Sequence, residues 1–174
     1  MSKTHAVDHR SSSRVETGHT LATIGFRASL PQHTDLGGSV RASRRCPGRF
    51  NTDTFGALYL CRAEHTALAE FQDNDSDGKA QNCVISVVHV ALDRLLDFGD
   101  RATMAEWSLT EADLRADDIT KCQRVAERAI REGIEAIQWP SATGTGISLA
   151  VFFDRLLPSS TVELIRIMGP GQDG

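Results

Sequence analysis

Apolar residues recur along this chain with two periods, one typical of helices and one typical of strands. The clearest helical period covers residues 118–132, and Gly133 follows it as a stop signal. Its apolar positions have the i, i+3, i+4, i+7, i+8 spacing of one helix face: Cys122, Val125, Ala126, Ala129 and Ile130. Shorter helical segments are predicted over residues 64–72 and 110–114.

Apolar runs rich in β-branched residues predict six short strands. They cover residues 21–27, 58–61, 83–90, 134–139, 147–153 and 162–167. Residues 92–98 are apolar with polar residues between them, whereas residues 31–47 are predicted to be a loop and residues 73–79 a polar turn. Several short strands with two or three helices favour an α+β domain.

Composition indicates a soluble globular protein with one domain. The chain has 174 residues, of which 40% are hydrophobic and 24% charged, enough for a single buried core. It contains no run of 18 apolar residues, and residues 1–14 lack the apolar core of a secretory signal. We therefore expect a cytoplasmic protein without membrane contact, with a flexible segment at 1–19, a domain at 20–168 and a tail at 169–174.

Charge is distributed unevenly along the chain. Residues 1–49 carry eight Lys/Arg and three Asp/Glu, a net charge of +5, whereas residues 50–174 carry a net charge of −9. A basic segment is compatible with nucleic-acid binding, but its charges lack interleaved aromatic residues and no recognition-helix pattern follows. A small phosphorylated ligand needs only two or three arginines. The sequence therefore predicts such a ligand, with no direct nucleic-acid binding.

Metal binding is not expected. The four cysteines, at positions 46, 61, 83 and 122, form no Cys-x-x-Cys pair. The acidic run at residues 73–78 resembles the start of an EF-hand loop, but Val84 occupies the position that requires a bidentate acid. The sequence also lacks phosphate-binding, nucleophile-elbow and zinc-protease motifs.

One constellation of polar residues remains. Arg49 precedes a strand that carries Tyr59, the single tyrosine of the chain, and the next helix carries Glu70 at the border of its apolar face. Spacing alone fits an ordinary surface arginine, a core tyrosine and a border glutamate better than a functional site.

A family resemblance changes that assessment. Residues 48–71, with Gly-Arg-Phe-Asn, Tyr-Leu and Thr-Ala-x-x-Glu, resemble the RES-domain toxins, which are named for an Arg, a Glu and a Ser. Residues 117–123 and the segment Trp139–Gly146 resemble the family's later motifs, in the same order. The resemblance extends over roughly residues 22–167. It matches five residues to the family's site: Arg27, Arg49, Tyr59, Glu70 and Ser141.

The resemblance implies a fold, a substrate and a partner. The implied fold is that of ADP-ribosyltransferase toxins: a bent, split mixed β-sheet core with flanking helices. The implied substrate is NAD⁺, and the implied partner is an Xre-type helix-turn-helix antitoxin of a bacterial type II toxin–antitoxin module. A homodimer or a toxin–antitoxin hetero-oligomer is expected on the same ground.

These residue types suit cleavage of the nicotinamide–ribose bond. The transition state resembles an oxocarbenium ion, and nicotinamide leaves as a neutral molecule, so neither a general acid nor a metal is required. Arg49, and secondly Arg27, can bind the pyrophosphate as a bidentate fork. Glu70 can bind a ribose hydroxyl and offset the developing positive charge. Tyr59 can stack on the nicotinamide or ribose, and Ser141 can position the substrate and support Glu70.

Alternatives remain at this stage. ADP-ribose can pass to water, to phosphate or to a side chain of a specific protein, although Leu68 occupies the place where many transferases carry a second acid. A domain that only binds a partner protein is another possibility. Ser141 also fits a turn hydroxyl that closes the corner after Pro140. The basic run at residues 41–45 is a possible contact for an acidic segment of the partner.

Overall fold

The computed structural model describes residues 18–74, 78, 82–144 and 146–169. Most of the predicted flexible segment 1–19 and of the predicted tail 169–174 lies outside the described residues, as does much of the predicted turn at 73–79.

The described residues form six strands and five α-helices, with short 3₁₀ helices at Pro31–His33 and Phe153–Arg155. The strands are β1 (His19–Ser29), β2 (Leu58–Cys61), β3 (Val84–Asp97), β4 (Ala136–Pro140), β5 (Ile147–Val151) and β6 (Thr161–Met168). The helices are α1 (Leu36–Arg45), α2 (Glu64–Asp73), α3 (Arg101–Glu106), α4 (Glu111–Arg115) and α5 (Thr120–Arg131). The prediction of an α+β domain is confirmed.

The strands form one mixed sheet in the order β1-β2-β5-β4-β3-β6, in which β3 and β4 are parallel and the other neighbours antiparallel. The long strand β3 also pairs with β1 along most of its length, so the sheet bends back on itself. Strand β1 meets β2 only at the pair Phe26–Cys61, and this thin contact is the split in the sheet. The expected bent, split mixed sheet is therefore confirmed.

Two apolar clusters hold the sheet and helices together. The cluster within the bent sheet combines side chains of β1 to β5 with Leu36 and Val40 of α1. The other cluster packs α3, α4 and α5 against β4 and β5, with Phe50, Phe98 and Trp139 at its centre. The buried side chains of β2, β4 and β5 alternate between these two cores, which fixes the face on which their polar neighbours lie.

The prediction of a loop over residues 31–47 was wrong, because α1 lies within it. Asp35 caps this helix by accepting bonds from the backbone N–H groups of Gly37 and Gly38. Leu36 and Val40, four residues apart, are buried on one face. Burial of this face offsets the low helix propensity of the two glycines, which had suggested a loop.

Two further differences concern β3 and α3. The strand predicted over residues 83–90 continues to Asp97, because pairing with β1 and then with β4 supplies its backbone partners. The helix α3 was not predicted; its first turn is capped by Asp100, and Met104 is its buried residue. Among the described residues, no helix has the length and apolarity needed to cross a membrane.

Candidate active site

A row of side chains from three adjacent strands forms the floor of the site. Cys61 of β2 lies opposite Ser148 of β5, and Ser148 lies opposite Trp139 of β4 on its other side. Because side chains opposite each other in a sheet share a face, the three point in the same direction. Ser141, two residues after Trp139, continues this face beyond the end of β4.

Glu70 reaches this row from helix α2. Its Oε1 accepts a hydrogen bond of 2.6 Å from the Ser141 hydroxyl and a second from the Ser148 hydroxyl. Its Oε2 accepts a bond from the thiol of Cys61, with 3.4 Å between sulfur and oxygen. The structure thus brings together two of the predicted residues, Glu70 and Ser141. We call Glu70, Ser141, Ser148 and Cys61 the Glu70 cluster.

Ser141 also organises the loop that follows it. Its backbone N–H donates to the carbonyl of Gly146 at 3.0 Å, and its hydroxyl lies 2.9 Å from that of Thr143. Gly146 has φ +81°, and a Cβ there would overlap the side chain of Thr66 in α2. The loop is therefore pressed against α2, and Ser141 is both a turn residue and a partner of Glu70.

The hydroxyl of Tyr59 is used within the protein. It donates to Asn51 Oδ1 and accepts from the backbone N–H of Phe50, both at 2.9 Å. Burial raises the pKa of Tyr59 well above its usual value, so the hydroxyl stays protonated. The ring stands edge-on to Trp139, and Gly48 packs so closely on it that a Cβ there would lie 2.7 Å from the hydroxyl oxygen.

Asn51 and Gln123 fix the segment that carries Arg49. The buried Asn51 side chain accepts from the backbone N–H of Gly48 and donates to the carbonyl of Ser43, both at 2.8 Å. Gln123 of α5 donates to the carbonyls of Gly48 and Asn51. The sequence analysis gave neither residue a role, although both stand inside the motifs that suggested the family.

The two arginines lie on different walls of the site. Arg49 donates from Nη1 to the carbonyls of Asp113 and Ala116, at 3.3 and 3.0 Å, which ties it to α4. Arg27 of β1 donates from Nη1 to the carbonyl of His33 at 2.8 Å, and burial lowers its pKa. Part of each guanidinium is therefore committed to the protein, and the other N–H groups are the ones available to a ligand.

A continuous groove runs past these residues. A cleft of about 480 Å³, which we call the inner cleft, is lined by Arg49, Tyr59, Glu70 and Asn74 among others. A hollow of about 170 Å³ beside Arg27 adjoins it. A larger cavity of about 680 Å³ between β1 and α1, the outer groove, contains Arg27 and Asn74 in its wall. The three cavities share Asn74 in their walls, and Arg27 lines both the hollow and the outer groove.

The site residues missed by the sequence analysis are Ser148 and Cys61. Ser148 is a single hydroxyl within an otherwise apolar strand, which is the only signal that the sequence offers for it. Cys61 stands in an apolar run and is buried like a small core residue, but its thiol donates to Glu70. No group of three or more His, Cys, Asp or Glu residues that could hold a metal ion occurs in the described part of the chain.

The fold and this groove define an α+β domain with a helix-borne carboxylate held at a split in a bent mixed sheet. Residues 20–165 match the family described as the RES domain, and the chain belongs to that family. The fold is similar to that of a chain in the MbcT–MbcA toxin–antitoxin complex of M. tuberculosis. That match has a TM-score of 0.72 and 21% sequence identity, and covers 88% of this chain and 87% of the other. Comparison with curated protein sequences finds no match.

Proposed function

We propose that this RES-domain protein is the toxin of a bacterial type II toxin–antitoxin system and cleaves the nicotinamide–ribose bond of NAD⁺. The observation that carries the proposal is the Glu70 carboxylate, fixed by Ser141 at the wall of a groove that has arginines on both sides. A fixed negative charge at the reacting carbon and cations for a pyrophosphate are what this reaction needs from a protein.

Glu70 supplies the electrostatic part of catalysis. Among the described residues, its Oε1 accepts two hydroxyl hydrogen bonds, whereas its Oε2 accepts only the weak bond of a thiol. Oε2 is therefore the better acceptor for a ribose hydroxyl. The same carboxylate offsets the positive charge that develops on the anomeric carbon as neutral nicotinamide leaves.

The groove supplies the positioning. Arg27 lines both the small hollow and the outer groove, which supports a larger part in pyrophosphate binding than the second place it has from the sequence. Arg49, in the wall of the inner cleft, acts as the second cation. Because the Tyr59 hydroxyl already has two partners, Tyr59 contributes its ring, as a face against nicotinamide or ribose.

Product analysis tests this function. Purified protein is incubated with NAD⁺ with and without phosphate, and the products are separated by chromatography and identified by mass. We expect nicotinamide with ADP-ribose, or with its phosphorylated form when phosphate is present. Glu70→Gln is the matched control. No loss of NAD⁺ with the wild-type protein would refute the proposal.

The same reaction can end on a protein acceptor, the second candidate. Incubation of labelled NAD⁺ with cell lysate separates the two: label retained on a specific protein indicates ADP-ribosyl transfer, and free label indicates NAD⁺ degradation. If both label transfer and NAD⁺ loss were absent, the remaining reading would be a domain that only binds a partner.

An enzyme that depletes NAD⁺ in the cytoplasm harms its own host, so we propose control by an antitoxin of the Xre helix-turn-helix type that covers the groove. The basic run at residues 41–45 is a weaker contact than the sequence suggested, because Arg41 pairs with Asp35 and Arg44 with Asp154. Growth arrest on induction, relieved by co-expression of an Xre-type antitoxin, would support this role. The mass of the purified complex would decide between a homodimer and a hetero-oligomer.

A further inference from the structure

Two residues that the family name does not include contact the Glu70 carboxylate. Ser148 donates to Oε1 from strand β5, and Cys61 donates to Oε2 from strand β2. Both side chains are buried, with 1% and 4% of their surface exposed. Both donate to the same carboxylate, which is therefore their common acceptor.

Strand pairing fixes the backbone positions of both donors. Cys61 and Ser148 are paired with each other across β2 and β5, and Ser148 is paired with Trp139 on its other side. Glu70 comes from helix α2, where Ala63 at the N-terminus provides no side-chain cap. A glutamate side chain has three rotatable bonds, and donors on rigid strands select one of its orientations.

The two carboxylate oxygens of Glu70 differ in their hydrogen-bond donors. Oε1 is occupied by the hydroxyls of Ser148 and Ser141, while Oε2 has only the thiol of Cys61. Burial, and then the negative charge of Glu70, raise the pKa of Cys61, so the thiol stays protonated and remains a donor. This arrangement leaves Oε2 with the weaker donor, and the protonated thiol adds no second negative charge beside it.

We propose that Ser148 and Cys61 are positioning residues, which hold the Glu70 carboxylate with Oε2 presented to the ribose of the substrate. The activity test of this inference rests on the proposed NAD⁺ cleavage. Ser148 is the stronger of the two, since a hydroxyl is a better donor than a thiol. Ser148 lies outside the lining of the inner cleft and of the hollow, and Cys61, which lines the hollow, is only 4% exposed, so we expect both residues to act on turnover rather than on substrate binding.

The test is a graded series of variants. Loss of one hydrogen bond to a charged group predicts that Ser148→Ala lowers kcat roughly 10- to 100-fold with KM changed by less than about threefold. Ser148→Cys, which keeps a weaker donor, should lie between Ala and the wild type. Cys61→Ala should lower kcat by less than Ser148→Ala, and Cys61→Ser should restore it.

Ser86→Ala is the matched control. Ser86 is fully buried in β3, and its hydroxyl has no hydrogen-bond partner among the described residues, so its loss tests the removal of a buried serine away from Glu70. The inference is overturned if Ser148→Ala retains the kcat of Ser86→Ala, or if KM rises in proportion while kcat is unchanged. Equal melting temperatures of the two variants would show that both fold.

A second measurement keeps this inference separate from the proposed function. If the wild-type protein did not consume NAD⁺, the proposed function would fail, and crystal structures of the wild type and of the double variant Ser148→Ala, Cys61→Ala would decide the positioning role. Rotation of the Glu70 carboxylate away from Ser141 in the double variant supports it. An unmoved carboxylate overturns it.

Discussion

Glu70 and Ser141 are 71 positions apart in the sequence, and a hydrogen bond of 2.6 Å joins their side chains. Glu70 lies in the last half of helix α2, and Ser141 follows strand β4. The bond therefore links an element near the start of the domain to one near its end. We therefore expect substitutions of Glu70 and of Ser141 to affect the same step of the reaction.

Replacing Glu70 by Gln should reduce NAD⁺ consumption by roughly 10²- to 10³-fold, the usual effect of losing a main electrostatic group. The amide is isosteric but neutral, so it cannot offset positive charge on the ribose. Initial rates of nicotinamide release measure the effect, and the melting temperature serves as the folding control. A variant that consumes NAD⁺ at the wild-type rate would show that the carboxylate is not catalytic.

Arg27→Ala and Arg49→Ala should each weaken NAD⁺ binding by about tenfold or more, because each removes charge-assisted bonds to phosphate. Isothermal titration in the Glu70→Gln background, where turnover is low, measures the affinity. Arg101→Ala is the matched control, since Arg101 is highly exposed and lies outside the residues that line the groove. An affinity equal to that of the control would remove the arginine concerned from phosphate binding.

Glu135 is a buried carboxylate with a structural role, so Glu135→Gln should destabilise the fold. Its Oε2 accepts from the backbone N–H groups of Asp93 and Arg94 at 2.9 Å, and its Oε1 accepts from that of Leu157 at 2.7 Å. An amide replaces one acceptor by a donor, which should cost about 2–4 kcal/mol. Urea denaturation measures the change.

The control for that experiment is Glu132→Gln. Glu132 is exposed and pairs only with Arg128 one helical turn earlier, and such surface pairs are worth about 0.5 kcal/mol or less. Equal loss of stability in the two variants would contradict the role assigned to Glu135.

Gly48→Ala should lower both stability and activity. A Cβ at this position would lie 2.7 Å from the Tyr59 hydroxyl, so either the ring or the segment carrying Arg49 must move. Gly37→Ala in α1 is the control, because its Cβ would meet nothing closer than 3.4 Å and alanine favours a helix. Thermal unfolding should move in opposite directions for the two variants, and the idea fails if it does not.

Thiol labelling should distinguish the cysteines of the described chain. Cys46 is exposed, whereas Cys61 is buried beside Glu70 and its pKa is raised, so it forms little thiolate. Iodoacetamide at mildly alkaline pH should therefore modify Cys46 and leave Cys61 intact until the protein is unfolded. Peptide mass spectrometry reads both sites, and early modification of Cys61 would place its thiol in contact with solvent.

Elements with a long, regular pattern could be predicted from the sequence. Helix α5 was predicted correctly because four of its residues, including Cys122 and Ala129, are buried on one face. Helix α1 was missed because Gly37 and Gly38 hide a short buried face that only packing reveals. A long, regular sequence pattern therefore predicts an element correctly. The prediction fails where tertiary contacts outweigh the intrinsic propensity of the residues.

The site was predictable only in part, for a related reason. Glu70 and Ser141 stand in motifs that the family resemblance makes visible, although nothing local joins them. Ser148 and Cys61 are partners of Glu70 because β2 and β5 pair in one register. A shift of either strand by one residue would turn its side chain to the other face, away from Glu70. Strand register depends on the whole sheet, so these two residues could not be assigned from the sequence.

The Glu70 cluster connects the two parts of the split sheet. Strands β2, β5 and β4 carry or lead to Cys61, Ser148 and Ser141, whereas helix α2 with Glu70 packs chiefly on β1. One group of strands is β2, β5 and β4, and the other is β1, β3 and β6. The two groups are joined by one residue pair between β1 and β2 and by three between β3 and β4. The hydrogen bonds of the Glu70 carboxylate therefore connect the two groups across the split. A small rotation of one group relative to the other would change the geometry of these bonds.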